Sequence, residues 1–172
     1  MPVKVFSDGD RPTAADFNRH FMQQVHALKT ADESVVSSTT MQDDDHLFVP
    51  VDANTVYWVT ALILYSASTA GDLKIGWSGP GGTSFEWVSD GFGSASSASG
   101  VDTVSRSYQT LGNTPAPGGN GTGVIVSCIP RGVLITGGSA GTFRFRFAQL
   151  ASDPGATTVR AESILILRRL TD

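Results

Sequence analysis

The sequence has a single cysteine, Cys128, so no disulfide can form within the chain. Cys128 falls in an apolar run and reads as a buried small hydrophobe. Charge is scarce as well. Only 16% of the 172 residues are charged, against about 25% in an ordinary soluble domain, and a surface so poor in charge is often one that partners cover. The net charge is −4 and the pI about 5.2. Without a basic surplus there is little to neutralise phosphates, which argues against nucleic-acid binding. No apolar run approaches the ~20 residues of a membrane helix, so membrane insertion is not expected. The first residues lack the apolar segment of a signal peptide, and a soluble product made in the cytoplasm is expected.

Signatures of catalysis are missing too. There is no G-x-S-x-G elbow, and His20, His26 and His46 show no zinc-binding spacing. The glycine-rich loops lack a phosphate-binding lysine. Glu33, Glu86 and Glu162 are the only glutamates, too widely spread to suggest a glycosidase pair. Asp43, Asp44, Asp45 and His46 form the one cluster that invites a metal reading. Three adjacent carboxylates cannot all converge on one ion, and no EF-hand spacing is present, so residues 42–46 read as a solvated loop. Trp87, Phe92 and Tyr108 could form a glycan- or receptor-binding patch, but core packing of Trp87 and loop packing of Phe92 are the expected reading, and no site is assigned there. No catalytic, cofactor-binding or metal-binding residue is assigned.

What the chain does hold is apolar alternation. Residues 55–67, TVYWVTALILYSA, contain no charge, glycine or proline. β-branched and aromatic residues crowd this stretch, as suits a buried strand. Tyr57, Val59, Ala61, Ile63 and Tyr65 share one face, and Val56, Trp58, Thr60, Leu62 and Leu64 the other. An antiparallel strand normally turns one face to water, so two apolar faces call for a second cover. One face meets the core. The other is expected to meet another layer or a further copy of the chain, with Tyr57, Val59, Ile63 and Tyr65 as interface candidates.

Ahead of this strand, Thr13 and Asp16 stand in capping-box positions. Phe17, Phe21, Val25 and Leu28, with Met22 beside them, make a stripe at helical spacing. This predicts one amphipathic helix from about Ala14 to Lys29, its stripe docking on the core or on a larger assembly. From Ser34 onward the pattern is β. Leu73, Ile75 and Trp77 alternate with polar or small residues, as do Phe85 and Trp87. Phe143, Phe145 and Phe147 alternate with Arg144 and Arg146, placing three rings inside and two guanidinium groups outside, where they can pair with carboxylates. Leu165 and Leu167 oppose Ile164, Ile166 and Arg168. Residues 90–102 and 111–123 read as loops, and Pro130 marks a bend. The expected fold is all-β: an antiparallel sandwich of jelly-roll type with about nine strands, behind one N-terminal helix. A closed barrel is the alternative. Residues 1–33 form the leading segment and 34–172 the sandwich domain.

The segment VFSDGDRPTAADFNRHFMQQ resembles the start of small virion structural proteins of tailed, particularly actinobacterial, phages. The matching positions are Val5-Phe6, Asp8-Gly9, Thr13-Ala14, Asp16, Asn18, Met22 and Gln24. More weakly, Ser38–Leu47, Asn54–Tyr57, Leu73–Trp77 and the closing T-T-V-R-A stretch resemble β-sandwich modules of phage minor tail and head-surface proteins. The resemblance implies a non-enzymatic virion component without cofactors, commonly a homotrimer, partnered by tail proteins or the major capsid protein. A minor tail or short-fibre subunit is the first expectation. A capsid decoration protein and a carbohydrate-binding module for a host surface glycan are the others. Copy number per particle separates tail from capsid.

If the stripe Phe17, Phe21, Met22, Val25 and Leu28 anchors the subunit, Phe21→Asp abolishes incorporation into particles and leaves a folded β domain. Immunoblots of purified particles, beside circular dichroism of the isolated variant, test this.

Overall fold

The computed structural model describes residues 6–14, 16–17, 23–93 and 103–170. Among these it is all-β, and every strand pairing is antiparallel. In chain order the strands are β1 (Gln24–Leu28), β2 (Glu33–Val35), β3 (Gln42–Val51), β4 (Val56–Ala67), β5 (Leu73–Ser78), β6 (Ser84–Val88) and β7 (Gly91–Phe92). Then come β8 (Val104–Ser105), β9 (Tyr108–Thr110), β10 (Gly121–Cys128), β11 (Arg131–Ile135), β12 (Gly141–Gln149), β13 (Thr157–Val159) and β14 (Ile164–Arg169).

β4 is the strand on which the others are arranged. Along one edge it pairs with β11 through residues 56–60 and with β10 through residues 63–67. Along the other it pairs with β14 through residues 57–62 and with β13 at Tyr65 and Ser66. Pro130 interrupts the β10–β11 run because it has no N–H to give the ladder. Its carbonyl still accepts from Ala61 N at 2.9 Å, so the edge stays satisfied across the break. Outward from β4, the sheet continues through β11, β6 and β9, through β10, β7 and β8, through β14 to β1, and through β13 to β2. These eleven strands face a three-stranded sheet in the order β3-β12-β5. Antiparallel sandwich is the description this strand order supports.

The core lies between the two sheets. Phe143, Phe145, Phe147, Leu73, Ile75 and Trp77 project from the small sheet and are buried, as expected from their alternation. Trp77 stacks on Phe143 with centroids 5.0 Å apart and meets Phe85 and Trp87 of the large sheet edge-on at 5.7 and 6.1 Å. Such geometries set positive ring edges against negative faces. Gly132 lies beside Trp87 in the neighbouring strand. A Cβ there would come within 2.6 Å of Trp87 Cβ and 2.1 Å of Glu86 O, so the close approach of β11 and β6 requires glycine.

The expected helix is corrected. Its first turn forms: Thr13 N donates to Asp16 Oδ2 at 2.9 Å, and Asp16 N donates to Thr13 Oγ1 at 3.2 Å. Phe17 N then donates to Thr13 O at 3.1 Å. Residues 24–28, however, are β1, paired along their length with β14. The physical reason is the unsatisfied far edge of β14, which needs a partner, whereas a lone helix of this length is marginal in water. Val25 and Ala27 pack toward the core, while Leu28 faces outward. Phe17 is exposed; Phe21 and Met22 lie outside the described residues. The sheet thus begins at Gln24, ahead of residue 34. The expected loop at 42–46 is likewise part of β3. No helix among the described residues is long and apolar enough to cross a membrane.

Phe145→Ala should lower unfolding free energy by about 3–5 kcal/mol, the usual cost of emptying a buried aromatic site. Chemical denaturation followed by tryptophan fluorescence measures it.

Candidate interaction surface

The two sheets turn very different outer faces to their surroundings. On the small sheet the outer face is charged. Arg146 pairs with Asp43 at 2.8 Å and Arg144 with the same carboxylate at 3.3 Å. Arg144 also lies over the Phe48 ring, 4.7 Å from its centroid. The outward arginines therefore find a carboxylate on the adjacent strand, as their alternation suggested.

On the large sheet the outer face mixes apolar residues with polar and charged ones. Register aligns its side chains in rows across the strands, because directly paired residues share a face. One row runs Leu28, Ile164, Leu62. The next runs His26, Ile166, Thr60, Arg131, Val88, Tyr108. A third runs Gln24, Arg168, Trp58, Val133, Glu86, Thr110. Leu28 is 53% exposed, Trp58 39%, Ile135 48% and Tyr108 64%. Between them Leu62, Val88, Val133, Ile164 and Ile166 are half-buried.

A shallow groove of about 370 Å³ crosses this face, walled by Trp58, Val88, Tyr108, Val133, Glu86 and Arg131. Asp90 holds its charged rim. Its Oδ1 accepts from Arg106 Nε at 2.9 Å and its Oδ2 pairs with Arg131. Its carbonyl accepts from Ile129 N at 2.7 Å. One carboxylate thus ties the segment before β9 to the start of β11, fixing the aromatic wall at Tyr108 relative to Trp58.

The interface candidates need correction at this point. Tyr57, Val59, Ile63 and Tyr65 are all at or below 5% exposure within the single chain, so they have almost no surface to offer a partner. Tyr65 even gives its hydroxyl proton inward, to Gly118 O at 2.7 Å. The face of β4 left open is the opposite one, through Trp58 and Leu62. Alternation separated the two faces, but only the position of the small sheet shows which one is inside. Of the anchoring residues, Val25 and Leu28 belong to the sheet.

Asp43, Asp44 and Asp45 point different ways. Asp43 meets the two arginines, and Asp45 is exposed. Asp44 is buried and accepts Lys29 Nζ on Oδ2 at 2.8 Å. Ligand atoms of Glu33, Asp44 and His46 lie within 4.8 Å of one another, but the ammonium of Lys29 takes the place a cation would fill. It lies 2.8 Å from Glu33 Oε2 and 3.4 Å from His46 Nδ1. Sequence reading missed Lys29, because nothing in its neighbourhood marks a buried lysine.

Cys128 is buried. Burial, and secondarily the charge of Asp90, pushes its thiol far above the usual range.

No protein-family model matches this chain, and no curated protein does. Among solved structures it is weakly similar to a chain of the tripod (BppUct-A-L) from the baseplate of bacteriophage Tuc2009. There the TM-score is 0.42 at 10% identity, covering 100% of this chain and 75% of that one. A chain of infectious bursal disease virus, Gx strain, gives a TM-score of 0.23 at 10% identity, covering 98% of this chain and 42% of that one. At such scores neither likeness carries a functional argument.

With its pKa raised, Cys128 holds almost no thiolate at pH 8, and thiolate is the reactive form. The folded protein should stay unlabelled by a thiol reagent at that pH and react fully once denatured. Labelling stoichiometry by mass spectrometry checks it.

Proposed function

We propose that this chain is a non-enzymatic structural subunit of a tailed-phage particle. In this reading it is a β-sandwich that assembles with copies of itself through the outer face of its large sheet. The N-terminal segment holds it to neighbouring virion proteins. The observation that supports this most directly is the contrast between the two outer faces. Charge and ion pairs cover the small sheet, whereas Leu28, Trp58, Leu62, Val133, Ile135, Ile164 and Ile166 cover much of the large one. Exposed apolar residues gathered on one face are the kind of feature that marks an interaction surface. The aromatic residues Trp58 and Tyr108 at the groove suit the anchor positions of an interface. Glu86 and Arg131 stand among these apolar residues at the groove and give a partner charged groups to pair with.

The phage setting comes from the resemblance of the N-terminal segment, and the trimer from the same source. A minor tail or short-fibre subunit is the role favoured here. The apolar face would lie within the oligomer, and the small sheet and the 111–120 connection would face outward.

Sedimentation equilibrium of the full chain at micromolar concentration should show a trimer. Trp58→Glu combined with Val133→Glu should give a monomer with an unchanged far-ultraviolet dichroism spectrum, since both side chains lie off the core. A wild-type chain that stays monomeric at that concentration would sink the proposal.

A further inference from the structure

Lys29, Asp44 and Glu33 hold chemistry that an interaction surface does not use. The side chains of Lys29 and Asp44 are each 0% exposed, with Nζ 2.8 Å from Asp44 Oδ2. Glu33 Oε2 lies 2.8 Å from the same nitrogen. Asp44 Oδ1 accepts two backbone N–H groups, from His46 at 2.9 Å and Leu47 at 2.7 Å. Glu33 is itself held: Gln42 Nε2 donates to its Oε1 at 2.9 Å and Asp45 N to its Oε2 at 3.0 Å. An amine and a carboxyl group away from water are thus brought together with a second, partly exposed carboxylate touching the amine and a pair of N–H donors on the carboxyl oxygen.

From this geometry we infer that Lys29 and Asp44 condense into an intramolecular amide between Lys29 Nζ and Asp44 Cγ, with Glu33 as proton carrier. One ammonium proton passes to Asp44 Oδ2, leaving a neutral amine and a neutral acid. The nitrogen lone pair attacks Cγ, and the carbonyl electrons move onto Oδ1. There the His46 and Leu47 N–H groups stabilise the negative charge, as an oxyanion hole does. Glu33 Oε2 takes a second proton from Nζ and delivers it to Oδ2. The Cγ–Oδ2 bond breaks and its electron pair leaves with the oxygen, as water. Glu33 ends as the carboxylate it began as. One ammonium and one carboxylate become one amide and one water, and no oxidant, reductant or cofactor takes part.

Two physical terms favour the step here that are absent in solution. In water both ions are well hydrated, which holds the separated acid and amine apart. In the buried site that hydration is gone, and a pair of desolvated ions is costly relative to a neutral group of the same volume. The reacting groups are also held side by side, and effective molarities for well-oriented neighbours reach about 10⁵–10⁸ M. The bond would join the end of β1, at the rim of the large sheet, to β3, at the rim of the small one. Tension on the N-terminal segment would then fall on a covalent link, beyond the five residue pairs of the β1–β14 ladder. This inference stands on the cluster alone and does not depend on the particle to which the chain belongs.

The test is intact mass spectrometry of the purified full chain beside Lys29→Met and Asp44→Ala made in the same way. After correction for the substitutions, the wild type should be lighter than either variant by one water. Its tryptic digest should lack cleavage after Lys29 and contain a branched peptide joining the segments around residues 29 and 44. Asp44→Asn should lose ammonia in place of water. Glu33→Gln, which keeps both reacting groups, should form the bond at least ~10²-fold more slowly after refolding, the usual range for removing a positioned acid–base group. Mass comparison does not require the variants to fold. A wild type at full mass with only linear peptides, and with a folded dichroism spectrum, would overturn the inference and leave the cluster as an ion pair.

Discussion

The hydrogen bonds along both edges of β4 are the constraint on which the rest of the molecule depends. A strand of twelve residues is long enough to take two shorter partners end to end on each side. On one side these are β10 and β11, divided at Pro130. On the other they are β13 and β14, divided at a turn where Arg160 N donates to Leu64 O at 2.8 Å. Because all four partners share one template, their inward residues fall on one surface. That surface can then be closed by a single small sheet carrying Trp77 and the three phenylalanines of β12.

From that closure follows the imbalance between the outer faces. Three strands suffice to cover the inner side, and among the described residues no strand lies across the outer side of the large sheet. Some of its apolar residues stay half-buried by their neighbours in the rows, while Leu28, Trp58 and Ile135 remain exposed. Where the margins of the two sheets approach, at β1 and β3, the chain places a lysine and two carboxylates. Burying an unpaired charge there would cost several kcal/mol. Lys29 accordingly meets Asp44 and Glu33 together, and the backbone amides of His46 and Leu47 complete the carboxylate's bonding.

Much of this was legible in the residues. Period-two alternation identified the inward sets on β5, β6 and β12, and separated the two faces of β4 and of β14, because a pleated strand must send successive side chains to opposite sides. It also put Arg144 and Arg146 outside, where Asp43 meets them. The end of the expected helix, residues 24–28, was misread. Phe17, Phe21, Val25 and Leu28 satisfy a helical period, while Val25 and Ala27 satisfy a strand period just as well over so short a run. The decision fell to β14, which lies well over a hundred residues away in the chain. The aspartate run read as a loop because three charges in a row oppose a strand. It is a strand because one of them meets a buried lysine and another meets two arginines.

The order of residues by itself determined a β pattern from Ser34 onward, the long central strand and the rings that fill the core, since each of these follows from neighbours along the chain. It could not say which face of Thr55–Ala67 is inside, that residues 24–28 extend the sheet, or that Lys29 reaches Asp44. Those outcomes depend on which strand edges meet and which sheet lies over which. A backbone N–H or C=O is the same at every position and does not name its distant partner, so only the assembled fold decides them.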